Sequence, residues 1–141
     1  HGGTTRARKF ALYFDAPIAI IDKRRPEPNK AEVMNIIGDI QDKNILLVDD
    51  LIDTAGTITN AASALRERGA RNIIAACSHP ILSGPAFQRI EDSPIDLMLV
   101  TDTVPLKRPS SKLKVLSVAE IFADSIRRIY TDDSISTLFD D

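Results

Sequence analysis

Along the chain, short uncharged runs alternate with stretches of helical periodicity. Ile45, Leu46, Leu47 and Val48 form a run without a polar residue, which reads as a strand buried on both faces of a parallel sheet. Comparable runs at residues 17–22, 72–77, 96–101 and 113–116 predict further strands. Residues 32–40 alternate in character and predict a short antiparallel or edge strand ahead of the central one. Ile58, Ala61, Ala62 and Leu65 share one helical stripe, which Gly69 is placed to stop. Val118, Ile121, Phe122, Ile126 and Ile129 recur at helical spacing, and Phe10, Ala11 and Phe14 give a weaker apolar face near the start. Pro85 suits the first turn of a short helix over residues 86–91. Strands alternating with helices predict an α/β fold, doubly wound, with a mainly parallel sheet and flanking helices.

Composition narrows the function classes. At 141 residues the chain reads as a single domain, residues 1–141, large enough for its own core. A hydrophobic content of 43% excludes a disordered chain, and a net charge of −2 supplies no basic field for nucleic acid. The apolar runs are too short to span a membrane, and no secretory signal is visible. The single cysteine, Cys77, cannot staple the fold; it sits in a run that reads as a buried strand end, with no charge nearby to activate a thiol. These features predict a cytoplasmic protein without nucleic-acid or membrane partners. The opening His1-Gly2-Gly3, with no methionine, reads as the start of a fragment whose N-terminal part is not included.

The chemistry concentrates after the central strand. Asp49 and Asp50 follow Val48, and Asp53-Thr54-Ala55-Gly56-Thr57 forms a small-residue turn into the predicted helix. Strand, turn and helix N-terminus make an anion site, because unpaired backbone N–H groups and the positive end of the helix dipole face the turn. Thr54 and Thr57 add hydroxyl donors, and Gly56 is expected to let the backbone close on the ligand. Two carboxylates at the rim suit an anion that also carries vicinal hydroxyls or Mg2+, as ribose 5-phosphate does. Residues 23–30, with four basic residues and two prolines, read as an exposed loop at a strand end; such a loop can deliver cations to a transferring phosphate. His79 lies in a second polar turn, as either a general base or a hydrogen-bonding loop residue. The apolar pair Leu138 and Phe139 suggests a C-terminal tail that docks, in preference to a frayed end.

The run from Leu47 to Ile58 resembles the phosphoribosyl pyrophosphate (PRPP) signature of the phosphoribosyltransferase-like fold. Further segments, in order along the chain, are similar to the ribose-phosphate diphosphokinases, or PRPP synthetases. They are HisGlyGly followed by ArgAlaArgLys, IleIleAspLysArgArgPro, AlaGluValMetAsnIleIleGly, SerHisProIleLeuSerGlyProAla and SerIleSerThrLeuPhe. The resemblance implies transfer of a pyrophosphoryl group from Mg-ATP to ribose 5-phosphate, giving PRPP and AMP. It implies Asp49 and Asp50 on the ribose hydroxyls, and Asp53, Thr54, Ala55, Gly56 and Thr57 on the 5-phosphate. Lys23 and Arg25 would be the catalytic cations, supported by Asn29 and Glu32. Ser134, Ser136 and Phe139 would belong to a regulatory site for ADP or phosphate between subunits of a hexamer. Mg2+ is the implied cofactor, reached by Asp49 and Asp50 through the ribose. The resemblance covers only the C-terminal half of a two-domain enzyme, so the fragment is expected to be inactive alone. A phosphoribosyltransferase that consumes PRPP leaves the basic loop and the tail unexplained, and a non-catalytic regulatory subunit leaves Lys23, Arg25 and the acidic pair unexplained.

Overall fold

The computed structural model describes residues 2–24, 28 and 33–139. The chain runs α1 (Gly2–Phe14), β1 (Ile20–Arg24), β2 (Val33–Ile37), β3 (Asn44–Ile52), α2 (Gly56–Glu67) and β4 (Asn72–Pro80). It continues with α3 (Ala86–Asp92), β5 (Leu97–Thr101), β6 (Leu113–Leu116), α4 (Ala119–Tyr130) and a 3-10 turn at Ser136–Leu138. Strands β3, β4, β5 and β6 form a parallel sheet in that order, while β1 and β2 pair as a separate antiparallel ribbon. The α/β class, with a mainly parallel sheet and flanking helices, is as the apolar pattern predicts.

Burial follows the alternation of strand side chains. Ile73, Ala75 and Cys77 on β4 and Met98 and Val100 on β5 are buried, whereas Ile74, Ala76, Leu97 and Leu99 on the opposite face are half-buried. The buried set joins Ile58, Ala62 and Leu65 of α2 and Phe87 and Ile90 of α3 in one core. Gly69 stops α2 as expected. Its φ of 92° lets its N–H reach Arg66 at 3.0 Å while Ala70 N–H reaches Leu65 at 3.1 Å, satisfying two carbonyls at the helix end. Helix α4 is amphipathic as predicted, yet its stripe is open: Ile121, Phe122, Ile126 and Ile129 are all exposed.

Several boundaries differ from the sequence reading, each for a tertiary reason. The expected strand over residues 17–22 forms as β1, which starts at Ile20 and runs to Arg24 because β2 pairs with it, Lys23 lying opposite Met34. Lys23 is therefore a strand residue, not the first residue of a loop. Strand β3 carries on through Asp49 and Asp50 to Ile52, and β4 through Ser78 and His79 to Pro80, because the two pair with Leu51 opposite His79 and Ile52 opposite Pro80. Gly2 and Gly3 open the first turn of α1. Arg25, Asn29 and Glu32 lie outside the described residues.

Candidate functional site

The site assembles where β3 gives way to α2. The first backbone hydrogen bond of α2 runs from Thr59 N–H to the carbonyl of Ala55, at 3.2 Å. The amides of Gly56, Thr57 and Ile58 therefore precede the helical ladder, and no side chain caps that end of α2. Ala55 takes a left-handed conformation (φ 62°, ψ 12°) with its methyl group buried. This geometry turns the chain sharply from strand to helix. Asp53, Thr54 and Thr57 are exposed beside it. Free amides and the positive dipole end at a helix N-terminus favour negative charge.

The two carboxylates stand near the C-terminal end of β3, before Leu51 and Ile52. Asp50 N–H donates to Oδ1 of Asp49 at 2.8 Å, and Leu51 N–H donates to Oδ1 of Asp50 at the same distance. Arg6 of α1 spans both acids, with Nη1 3.7 Å from Asp49 Oδ1 and Nη2 3.2 Å from Asp50 Oδ2. Partial burial raises the Asp49 carboxyl above its ordinary range, and the neighbouring Asp50 carboxyl adds to the rise, against the opposing pull of the Asp50 N–H and Arg6. Contact with the Asp49 carboxyl, and then the Arg6 guanidinium, lowers Asp50. The two carboxyls thus titrate as one interacting pair, Asp49 shifted upward and Asp50 downward. Cys77, opposite Asp49 in the sheet, has its thiol pushed up to about 11 by burial and by the Asp49 charge. It is protonated at neutral pH, in line with its reading as an inert strand residue.

The turn is held from behind by the β4–α3 connection. Ser83 N–H donates to the Asp53 carbonyl at 3.0 Å, and Ser83 Oγ donates to the Asp53 carboxylate. Arg89 of α3 donates from Nη1 to the Thr54 carbonyl at 3.0 Å. The atoms nearest to where a Cβ on Gly56 would stand are Nη1 and Cζ of Arg89, at 3.3 and 3.9 Å. Within the protein, then, the missing side chain of Gly56 makes room for Arg89. A polar cleft of about 360 Å3 opens between α2 and α3, lined by Gly56, Thr59, Asn60, Gln88, Arg89 and Asp92; the two carboxylates of β3 are not part of it.

Asp49 and Asp50 lie on β3, and Asp53, Thr54, Ala55, Gly56 and Thr57 form the turn that follows it and the start of α2. Lys23 is an exposed residue of the β1–β2 ribbon. In the tail, Ser134 and Ser136 join their hydroxyls at 2.7 Å, and Arg128 of α4 donates to the Ser134 carbonyl and to Thr137 Oγ1; Phe139 is 73% exposed. His79 shares a 2.9 Å hydrogen bond with Thr103 Oγ1, whose hydroxyl is tied to the Ser78 carbonyl. Sequence reasoning missed Arg6 as the counter-ion of the acids, and Arg89 and Ser83 as supports of the turn. Arg6 sits among other basic residues of a surface helix, and Arg89 is a lone cation on a short one, so neither carries a local signal.

Among the described residues, no group of three or more His, Cys, Asp or Glu side chains could hold a metal ion by itself, and no helix is long and apolar enough to cross a membrane. Residues 6–140 match the phosphoribosyl synthetase-associated domain family. The chain is 60% identical over 141 residues to a ribose-phosphate pyrophosphokinase of Clostridium tetani, covering 99% of this chain and 44% of that protein. It is 57% identical to its counterpart in Clostridium perfringens, with the same coverage. The chain thus spans less than half the length of these relatives. Its fold superposes on a phosphoribosylpyrophosphate synthetase from Mycobacterium smegmatis with a TM-score of 0.80, at 35% identity over 90% of this chain and 42% of the other.

Proposed function

The chain belongs to the phosphoribosyl synthetase-associated domain family, and from that premise we propose that it is the ribose 5-phosphate-binding, C-terminal domain of a ribose-phosphate diphosphokinase. The whole enzyme would transfer a pyrophosphoryl group from ATP to the 1-hydroxyl of ribose 5-phosphate. One observation carries this reading: two carboxylates near the end of β3 are followed, after Leu51 and Ile52, by a turn whose helix N-terminus has no side-chain cap. The amides of residues 55–57, with Thr54 and Thr57, hold the 5-phosphate, and the carboxylates of Asp49 and Asp50 accept hydrogen bonds from the ribose hydroxyls.

The residues present also fit Mg2+. Two adjacent carboxylates, with no third acid grouped with them among the described residues, match an ion that takes one or two carboxylates and fills its remaining positions with water and substrate oxygens. Asp49 and Asp50 would hold it, directly or through the sugar; when bound, the ion supplies charge neutralisation at the transferring phosphates. The protein's part is to position the sugar and to present cations, which is where Lys23 and Arg25 act, with Asn29 and Glu32 supporting them. Ser134, Ser136 and Phe139 form a regulatory surface for phosphate or ADP in a hexameric assembly.

The test is a titration of the full-length protein with ribose 5-phosphate, followed by amide chemical shifts. Saturable changes centred on Gly56 and Thr57, lost in Asp50→Asn and absent with ribose, are the expected result. Shifts confined to other surfaces refute the assignment. Release of AMP from ATP that depends on ribose 5-phosphate, with no base added, separates a diphosphokinase from a PRPP-consuming transferase.

A further inference from the structure

We propose that Arg89 is a positioning residue for the phosphate turn, orienting the Thr54–Ala55 peptide so that its N–H faces the ligand; this rests on the ribose 5-phosphate reading above. Arg89 lies on α3, outside the strand–turn–helix unit that forms the site, yet its Nη1 binds the Thr54 carbonyl at 3.0 Å. The described chain has no cis peptide bond. In a trans peptide the carbonyl and the following N–H point in opposite directions. Fixing the Thr54 carbonyl toward Arg89 therefore sends the Ala55 N–H away from it. A rotated peptide would present a carbonyl lone pair to the phosphate in place of a donor.

Three further features of the turn agree. Ala55 has a positive φ without being glycine, and such a backbone persists only where its surroundings hold it. Helix α2 supplies no capping side chain of its own, so the restraint must come from elsewhere. The preceding carbonyl, that of Asp53, is likewise bound from the β4–α3 side, by Ser83 N–H. Two successive carbonyls of the turn are thus anchored from one side, which leaves the amides for the other. Gly56 completes the arrangement, because the guanidinium occupies the space beside its Cα, 3.3 Å from where a Cβ would lie. That placement also adds a full positive charge next to the helix N-terminus, where an arriving phosphate gains from it.

The test uses the full-length protein with Arg89→Met, which keeps the side chain's bulk, and Arg89→Lys, which keeps its charge. Arg89→Met is expected to raise the KM for ribose 5-phosphate about tenfold, the loss of one charge-assisted hydrogen bond. The KM for ATP should stay within about twofold, and the melting temperature should be near that of the wild type, because Arg89 is exposed. Arg89→Lys is expected to recover part of the loss. An unchanged KM for ribose 5-phosphate in Arg89→Met overturns the assignment, as does a parallel rise of both KM values with a lowered melting temperature. Wild-type protein that shows no response to ribose 5-phosphate refutes the ligand reading itself, and is read before any variant is made.

Discussion

Replacing Gly56 by alanine separates two explanations of why a glycine stands in the turn. In the structure an added Cβ meets Nη1 of Arg89 at 3.3 Å, so the guanidinium must retreat by a few tenths of an ångström. That retreat lengthens its 3.0 Å bond to the Thr54 carbonyl toward the limit at which a hydrogen bond still contributes. Losing the bond altogether removes about 1.5–3 kcal/mol in a buried setting, and less here because Arg89 is exposed. Alanine at a helical position returns about 0.5–1 kcal/mol by restricting the unfolded chain. The two effects nearly cancel, so the folding stability of Gly56→Ala should lie within about 1 kcal/mol of the wild type. Binding has no such compensation. The KM for ribose 5-phosphate is expected to rise about fivefold to tenfold, a loss of roughly 1 kcal/mol or slightly more in transition-state stabilisation. The decisive measurement is a double-mutant cycle on that KM, combining Gly56→Ala with Arg89→Met. If the methyl acts by displacing Arg89, it costs little once Arg89 is methionine. An equal penalty in both backgrounds would mean that the methyl meets the ligand itself, and the argument from the guanidinium would be wrong.

Other expectations concern stability. Asp49→Asn removes a carboxylate whose burial and negative neighbour hold its pKa above the ordinary range. A raised carboxyl disfavours the folded state as pH climbs past the unfolded value, so the variant should be the more stable at pH 7, by no more than about 1 kcal/mol given its exposure; thermal melts at pH 4 and pH 7 check that the gain appears only at the higher pH. Cys77 has a folded pKa of about 11 against an ordinary value near 9. The stability tied to its proton is complete below pH 9 and lost as pH rises toward 11, a component of the alkaline slope that Cys77→Ala should lack in denaturant titrations. Leu65→Ala opens a cavity at a side chain only 1% exposed, and should cost about 2–5 kcal/mol in urea unfolding.

What was legible in the sequence was what short-range pattern encodes. The uncharged run at residues 45–48 marked β3, and the small residues and helical stripe after it marked the turn and α2. Strand ends were misjudged where a neighbour in the sheet decides them. Asp49, Asp50, Ser78 and His79 are polar enough to suggest loops, yet the pairing of β3 with β4 carries the ladder through all four. Lys23 was drawn into β1 in the same way, by β2. The partners of the site were hidden for a related reason. Arg6 reaches the acids across 43 and 44 positions of sequence, and Arg89 reaches Thr54 across 35. A single cation on a helix surface is indistinguishable from a solvated one until the fold shows what lies beneath it.

The bridge from Arg6 to both acids means that this domain arrives with its own resident cation. On the proposed reading, a sugar offering its hydroxyls to Asp49 and Asp50 would have to displace that guanidinium or share the acids with it. Occupancy of the proposed site would therefore be an exchange and not a simple filling. The tether is electrostatic and half open to water, so added salt weakens the incumbent as well as the newcomer. A sugar phosphate should accordingly lose less affinity to rising ionic strength than its charge alone would lead one to expect.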